Sequence, residues 1–339
     1  MAITVAVAGV GERGSDWVRE IKGAPAFELV ACVDVDSRAL ERASQSFQIP
    51  AGQCFLDLDK AITESGCQAV VVATPADCHA QDCQTALAHS LAVLVEKPFS
   101  VSLAEANHLV LLSESKAAPL LVAQNYRYLR SFRTVRRVIH EGTLGRIGMV
   151  VCQYYRVPHK MSASLAGFRQ SVLWGMGVHH LDALRYILGT EVDGVIADSF
   201  TQPWTHLLEG ASTRAMISFS SGARAFYSAT YESSGHEFFE NGQEFYARFV
   251  GELGTLHVFQ RWLILCAKGK LPRLIRRGPR EVTEEQILLE KFEQAVLGRA
   301  EASSSGRDNL QTMAILEACV RSAAERRWIN PQELLNEFK

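Results

Sequence analysis

A glycine-rich turn directly after the first apolar run most constrains what this chain can fold into. Residues 3–8 form a predicted strand, Gly9-Val10-Gly11-Glu12-Arg13-Gly14 follows it, and a helical pattern begins at once. In such a unit the first glycine permits the tight turn and the second lets the backbone approach a pyrophosphate. The third lets the helix pack against the strand. The turn therefore predicts a dinucleotide-binding site made by Gly9, Val10, Gly11, Glu12, Arg13 and Gly14.

An acidic residue stands where the ribose of a dinucleotide needs one. Asp34 ends the second apolar run, about 20 residues after Gly14. A carboxylate there accepts hydrogen bonds from ribose hydroxyls and repels a 2′-phosphate, which favours NAD as the cofactor. Arg38 leaves NADP as the alternative cofactor, because an arginine just beyond the strand can bind that phosphate.

Short apolar runs alternate with helical patterns through the first third of the chain. This alternation predicts an α/β fold, with a doubly wound parallel sheet of the Rossmann type over residues 1–123. The predicted strands are Ile3–Ala8, Phe27–Val33, Ala69–Ala73, Ala92–Val95 and Leu120–Ala123, with helices at about 14–22, 37–46, 57–65, 77–89 and 102–116.

The pattern changes after about residue 125, where apolar residues alternate with period two. Residues 124–339 are therefore predicted to be an α+β domain with a large, mostly antiparallel open sheet, which leaves its C-terminal helices room to pack back on the first domain. Its predicted strands are 146–157, 213–219, 223–231, 244–250 and 255–266, and its predicted helices are 130–141, 178–188, 283–298 and 306–327.

Composition excludes several classes of protein. The chain has 35 Lys and Arg against 37 Asp and Glu, a balance that argues against a dedicated nucleic-acid or membrane-surface binder. The basic stretch 268–280 is interpreted as a solvated loop without base-stacking aromatics. Eight cysteines without a Cys-x-x-Cys pair, and no signal peptide or long apolar run, predict a cytoplasmic protein. His236 and Glu240 lack the second histidine of a zincin, so no metal site is predicted.

Two further residue patterns suggest proton chemistry. Lys97, in Glu96-Lys97-Pro98, follows a predicted parallel strand and so lies where doubly wound sheets bind ligands. On a helical wheel, His179 and Asp182 share the face opposite Leu181, so the carboxylate is able to orient the imidazole. On the residues alone, a surface lysine and an ordinary amphipathic helix remain open alternatives. His180 points elsewhere and is predicted to be structural.

Several short blocks, in this order and spacing, resemble one known family. They are Gly9-x-Gly11-x-x-Gly14, Val33-Asp34, Ala73-Thr74-Pro75-x-x-x-His79, Glu96-Lys97-Pro98, Gln124-Asn125-Tyr126-Arg127-Tyr128, Gly177-Val178-His179-His180-Leu181-Asp182 and Ser305-Gly306-x-Asp308. The chain resembles the glucose–fructose oxidoreductase, inositol 2-dehydrogenase and MocA family over almost its whole length. That family joins an N-terminal Rossmann domain to a C-terminal α/β domain.

The resemblance implies roles for individual residues. Lys97 and His179 would assist proton transfer while hydride passes to or from C4 of nicotinamide, with Asp182 in support. The cofactor would also contact Thr74, Pro75, His79, Glu96, Lys97 and Asn125, and the substrate Lys97, Arg127, Trp174 and His179. For Trp174, a place in the core is the alternative.

One position departs from the family pattern. Many family dehydrogenases carry an aspartate four residues before the histidine, where this chain has Gly175.

We expect an NAD(P)-dependent oxidoreductase acting on a secondary alcohol or ketone of a sugar, polyol or similar small molecule. An NAD-dependent glycosidase and a cofactor-sensing regulator are the alternatives. Outward-facing Phe226, Tyr231 and Phe245 or their neighbours, and the family's usual sheet-to-sheet contact, predict a homodimer or homotetramer.

Overall fold

The chain folds into two compact units. The computed structural model describes residues 2–156, 169–233, 243–259, 262–278, 282–300 and 303–338. The first unit contains Met1–Asn125 and Val282–Leu310, and the second contains Tyr126–Glu281 and Gln311–Lys339. The change of unit after Asn125 lies two residues beyond the predicted boundary, and a later segment of the chain returns to the first unit.

Six parallel strands form the sheet of the first unit. Their order is β3-β2-β1-β4-β5-β6, which confirms the predicted doubly wound α/β fold. The order reverses between β1 and β4, and sheets of this kind bind ligands outside the carboxyl ends of the strands at such a point. The strands are β1 (Ile3–Ala8), β2 (Phe27–Val33), β3 (Cys54–Phe55), β4 (Ala69–Val72), β5 (Ala92–Val95) and β6 (Leu120–Val122).

Five helices connect these strands, and most of them begin at a side-chain cap. Asp57 and Ser102 accept hydrogen bonds from the backbone N–H groups of Lys60 and Glu105. In the described ranges, no helix combines the length and the apolar character needed to cross a membrane. The helices are α1 (Glu12–Gly23), α2 (Ser37–Phe47), α3 (Leu58–Ser65), α4 (His79–Ala88) and α5 (Leu103–Ser115).

An eight-stranded sheet organises the second unit. Its order is β14-β13-β12-β11-β7-β10-β9-β8, and all pairs are antiparallel except β7 with β10, so the predicted mostly antiparallel sheet is confirmed. The strands are β7 (Ile147–Arg156), β8 (Val192–Phe200), β9 (Ser212–Phe219), β10 (Arg224–Thr230), β11 (Gln243–Gly251), β12 (Gly254–Phe259), β13 (Leu263–Ala267) and β14 (Arg273–Leu274).

The remaining helices, apart from the short last one, follow the predicted ranges closely. They are α6 (Arg130–His140) and α7 (Val178–Leu188) in the second unit, α8 (Glu284–Val296) in the first unit, then α9 (Gly306–Glu325) and α10 (Pro331–Asn336). Helix α8 begins at a capping box in which Thr283 and Gln286 each bind the backbone N–H of the other. Its Phe292 stacks on Phe27 of β2, with 6.2 Å between ring centroids.

Five elements differ from the sequence prediction for physical reasons. The single strand predicted at 255–266 is wrong, because this range contains two antiparallel strands, β12 and β13. Strands β3 and β14 have only two residues each, too few for a period to show. Strand β8 carries Asp193, Gly194 and Asp198, which weaken its apolar pattern. Helix α10 has only six residues.

The outward face of the second sheet also differs in part from the prediction. Phe226 is 45% exposed, as expected, but Tyr231 is fully buried. Phe245 points to the covered face, where its ring lies 5.4 Å from that of Phe132 and 5.3 Å from that of His180. The expectation that Tyr231 and Phe245 face outward is therefore wrong.

Candidate functional site

The glycine-rich turn has the geometry that a bound pyrophosphate requires. Gly9 has a φ of +81°, and a Cβ atom there would lie 2.6 Å from the backbone nitrogen of Thr74. A Cβ on Gly14 would lie 1.7 Å from the carbonyl oxygen of Gly9, so the helix packs directly against the turn. At Gly11 a Cβ would meet nothing within 4 Å, which leaves open space beside the start of α1.

Helix α1 begins without a side-chain cap. Gly11 is its N-cap residue and supplies no side-chain oxygen, while Glu12 and Arg13 form the first turn. The first N–H groups of a helix carry a partial positive charge and suit an anion. The open space at Gly11 and the uncapped helix therefore fit the diphosphate of a dinucleotide.

Asp34, just beyond the end of β2, is hydrogen-bonded to the same turn. Its Oδ2 accepts a hydrogen bond from the backbone N–H of Val10 at 2.9 Å, and its Oδ1 accepts one from Asp36 at 3.0 Å. The side chains of Val35 and Leu56, next to the ends of β2 and β3, are largely exposed. A carboxylate with an apolar surface beside it fits the ribose and adenine of a dinucleotide. Arg38 is exposed in the first turn of α2, so its part in cofactor choice stays a prediction.

The predicted nicotinamide-side residues form a hydrogen-bonded network. Thr74 donates to Asp82 at 2.6 Å, and the two ring nitrogens of His79 lie 2.8 Å from the carbonyl oxygens of Thr74 and Pro98. His79 is buried, and burial lowers its pKa despite these carbonyls. His79 therefore holds the segments after β4 and β5 in place, and its nitrogens are not directed at a cofactor. Pro75, by contrast, is exposed beside Thr74.

Glu96, at the end of β5, is bound on one oxygen by two side chains of α1. Its Oε1 accepts hydrogen bonds from Arg13 at 2.6 and 3.0 Å and from the indole N–H of Trp17 at 2.9 Å. Glu96 and Trp17 are buried, whereas the side chain of Arg13 remains partly exposed. Because this oxygen is occupied by α1, Glu96 connects β5 to the phosphate-binding turn.

Lys97 follows Glu96 at the carboxyl end of the parallel sheet. It is half-buried, and no hydrogen bond or ion pair within the described ranges involves its Nζ atom. Burial lowers the pKa of Lys97, the carboxylate of Glu96 raises it, and the guanidinium of Arg13 lowers it further. An amine with a lowered pKa exchanges protons more readily near neutral pH.

The end of β6 supplies one more polar group to this side of the sheet. Asn125 is half-buried, and its Oδ1 atom has no hydrogen-bond partner among the described residues. Such an oxygen suits an external donor, which fits the cofactor contact that the resemblance implies for Asn125.

His179 lies in the first turn of α7, within the second unit. Its ring stacks on that of Tyr126, with centroids 4.0 Å apart and planes inclined by 18°. The helix is preceded by one wide turn over Leu173–Gly177, which contains the half-buried Trp174 and Gly175. Wide turns of this type are frequent at functional sites.

Asp182 does not have the role predicted for it. Both of its oxygens bind the guanidinium of Arg127, at 2.6 and 2.5 Å, and Thr312 donates to Oδ1 at 2.9 Å. Both members of this ion pair are buried, so Asp182 holds α7 in place and Arg127 is not directed at a substrate. The alternative of an ordinary amphipathic surface helix does not fit α7 either, because nine of its eleven residues are buried.

His180 is a structural residue, in agreement with its predicted role. Its Nδ1 atom lies 3.1 Å from the hydroxyl oxygen of Tyr227, and its ring contacts those of Tyr154 and Phe245. Complete burial lowers its pKa to about 3, so the ring is neutral at physiological pH.

Residues 157–168 and the His236 to Glu240 segment lie outside the described residues. In the part of the chain that is described, no group of three or more His, Cys, Asp or Glu side chains is placed to hold a metal ion.

Trp17 and Tyr126 are contributors that the sequence analysis missed. Tyr126 lies within a quoted block, and its position directly after Asn125 was a usable signal. Trp17 is an apolar helix residue whose bond to Glu96 spans 79 positions, so nothing local indicates it.

Comparison with known proteins identifies the family. Residues 3–124 match the model of the oxidoreductase family with an NAD-binding Rossmann fold, GFO_IDH_MocA, and residues 132–257 match the GFO/IDH/MocA C-terminal domain. A D-apiose dehydrogenase from Paraburkholderia graminis is 25% identical over 93% of this chain and 85% of its own length. An inositol 2-dehydrogenase from Rhizobium meliloti is 25% identical over 97% of this chain and 99% of its own.

Solved structures agree on the fold. An oxidoreductase from Agrobacterium radiobacter, determined in complex with NAD+, L-tartaric acid and magnesium, superposes with a TM-score of 0.88. It is 22% identical and covers 98% of this chain and 100% of its own. The predicted dinucleotide turn is present, and a parallel sheet is followed along the chain by a mostly antiparallel one. Since both family models also match, this chain belongs to the GFO/IDH/MocA family of NAD-binding oxidoreductases.

Proposed function

We propose that the protein oxidises a secondary alcohol, or reduces the corresponding ketone, of a sugar, polyol or related small polar molecule. One observation carries the proposal: Lys97, whose pKa is lowered by burial, lies two residues beyond β5, in the same sheet as the strand β1 that precedes the dinucleotide turn. The relatives named D-apiose dehydrogenase and inositol 2-dehydrogenase support this substrate class, because both names describe polyhydroxylated molecules.

The chain's own residues would hold the cofactor along the carboxyl edge of the first sheet. The turn from Gly9 to Gly14 would bind the diphosphate and Asp34 the adenosine ribose, which favours NAD over NADP. Thr74, Pro75 and Asn125 would border the nicotinamide. When bound, the cofactor supplies the hydride acceptor or donor at nicotinamide C4.

Proton handling is assigned to Lys97 and His179. In the oxidation, the neutral amine of Lys97 would take the hydroxyl proton as the substrate carbon loses hydride. His179 would assist proton transfer, as the family resemblance implies. Trp174, half-buried in the turn before α7, would offer an aromatic face to the C–H groups of a sugar. Gly175 supplies no carboxylate, so we assign the proton to the two basic groups alone.

Nicotinamide absorbance during turnover tests the proposal. A panel of sugars, polyols and their carboxylic-acid derivatives is offered with NAD+ and with NADP+, and the expected result is net reduction of NAD+ by at least one member. Glycoside cleavage without a net change in absorbance would replace the proposal with the glycosidase alternative. Intact cofactor binding without any turnover would replace it with a cofactor-sensing regulator.

A cytoplasmic location is proposed because all eight cysteines are free thiols.

We further propose that the outward face of the second sheet binds a second copy of this chain. Exposed Met149, Phe226 and Phe259 lie on that face, together with a groove of about 830 Å³ that has Asp198 and Arg214 among its lining residues. The eight strands cover roughly 900 Å² at ordinary strand spacing and rise per residue, which is enough for the about 800 Å² that one partner contributes to a stable interface. Opposite charges on one apolar face suit a two-fold contact, and thus a homodimer or a homotetramer built from it.

Phe226→Glu is expected to convert the oligomer into a monomer. A carboxylate buried in the contact would lie against an apolar surface without a partner, which costs several kcal/mol. Light scattering after size-exclusion chromatography measures the mass. Leu111→Glu, at an exposed apolar position on α5, is the matched control and should leave the mass unchanged. A monomeric wild-type protein, or an unchanged mass for Phe226→Glu, would disprove this interface.

A further inference from the structure

The strongest unassigned feature is the ion-pair cluster between the phosphate-binding turn and the Lys97 segment. Arg13 lies in the third variable position of the turn and binds Glu96 through both Nη2 and Nε. Its other contacts are Glu285 on α8, at 3.3 Å, and Asp16 on α1, at 3.4 Å. All of these residues belong to the first unit.

We propose that Arg13 and Glu96 form a positioning pair that holds Lys97 and sets its charge. This inference rests on the function proposed above, in which the protonation state of Lys97 controls proton transfer. Arg13 and Glu96 are positioning residues here, since the contacts described above are with each other and with neighbouring side chains.

The geometry supports a rigid connection. The backbone N–H of Lys97 lies 3.3 Å from Oε2 of Glu96, while Oε1 of the same carboxylate is bound by Arg13 and Trp17. Trp17 is fully buried, so the carboxylate is fixed on its side of the sheet. Lys97 therefore follows a residue whose orientation is set by the turn that would bind the diphosphate.

The two members act on Lys97 in opposite directions. The Glu96 carboxylate raises the pKa of Lys97, and the Arg13 guanidinium lowers it, against a background in which burial lowers it most. Glu285 and Asp16 also face Arg13, and His79 and Asp82 of α4 lie next to Thr74 and Pro98. None of these other groups contributes to the charge of Lys97 as directly as the pair does.

Opposite shifts in the pH profile of turnover test the pair. Oxidation needs the neutral amine, so its rate rises with pH as Lys97 loses its proton. Arg13→Met removes a positive charge and leaves Glu96 without its partner, so the rise should move to higher pH by about one unit. Glu96→Gln removes the negative charge, so the rise should move to lower pH by a similar amount. Arg13→Lys keeps the charge and should restore most of the wild-type profile.

Arg307→Met is the matched control. Arg307 binds Glu114 through its Nε and Nη2 atoms, at 2.9 and 2.6 Å. These are the two guanidinium atoms that Arg13 uses, but this ion pair lies on the exposed surface of the same unit. Its loss should leave the pH profile unchanged. A general weakening of the fold would shift the pH profile of turnover in the same direction in Arg13→Met and Glu96→Gln. The proposal requires these two variants to shift it in opposite directions. Shifts in the same direction would overturn it, and so would unshifted profiles in both variants together with an unchanged titration of Lys97 itself.

A direct titration of Lys97 separates this inference from the proposed function. The chain contains nine lysines, so 13C-labelled lysine with Lys97→Met for assignment gives a resolvable NMR signal. Opposite pKa shifts of Lys97 by NMR without matching shifts in turnover would support the pair and reject Lys97 as the proton acceptor. Should Arg13→Met fail to fold, Arg13→Gln takes its place, because it removes the charge and retains a hydrogen-bond donor. An unchanged Lys97 titration in both charge-removing variants would reject the pair itself.

Discussion

Replacing Lys97 by methionine is expected to lower turnover by about 10²–10⁴-fold, the range that general acid–base groups contribute. Methionine keeps a similar length and removes the amine, so the change acts on proton transfer rather than on packing. Because the glycine turn and Asp34 lie on other strands, the affinity for the dinucleotide should remain nearly unchanged. Steady-state kinetics give the turnover, and calorimetry with NAD+ and NADH gives the affinity.

The control for this variant is Lys116→Met, at an exposed lysine just beyond α5 in the same unit. It should retain full turnover. Wild-type turnover in Lys97→Met would remove Lys97 from the mechanism. A large loss of dinucleotide affinity would instead give Lys97 a binding role and leave the proton acceptor unassigned.

The first unit was largely predictable because its signals are local. Strands β1, β2 and β5 begin and end where the apolar runs do, and the glycine turn specifies its own conformation through sterics. In a parallel sheet with helices on both faces, each strand is buried on both sides and shows as a continuous apolar run. Spacing alone therefore places Gly9, Asp34 and Lys97 at the same edge of one sheet.

The partners of charged residues could not be predicted, because they are distant in sequence. Asp182 was paired with His179 on the helical wheel, yet Arg127, 55 positions away, takes both of its oxygens. Glu96 was expected to contact the cofactor, yet Arg13 and Trp17 occupy one of its oxygens. Periodicity shows which face a residue occupies, but it does not show which residue of another element meets it there. Tertiary packing decides the pairing.

Replacing Arg127 by methionine is expected to destabilise the second unit by about 3 kcal/mol, the lower end of the cost of removing one partner of a buried ion pair. Asp182 is completely buried, and the change would remove both of its bonds from the guanidinium. It would retain Thr312 as a hydrogen-bond donor and the more distant Arg185, whose Nη1 atom lies 3.9 Å from Oδ1. Urea unfolding followed by circular dichroism measures the loss. Arg137→Met is the control, since its ion pair with Glu141 is exposed and should contribute no more than about 1 kcal/mol.

The double variant Arg127→Met with Asp182→Leu separates the buried charge from the packing. Removing both charges eliminates the buried carboxylate that has lost its closest partner, while Arg185 keeps its ion pair with Glu191. This variant should therefore recover most of the stability that the single change loses. Recovery would show that Asp182 stabilises α7 as a paired charge, which leaves His179 to act without it. If the double variant were as unstable as the single one, the loss would come from packing around the guanidinium. A single variant as stable as the wild type would show that the Arg127–Asp182 pair does not hold α7 in place.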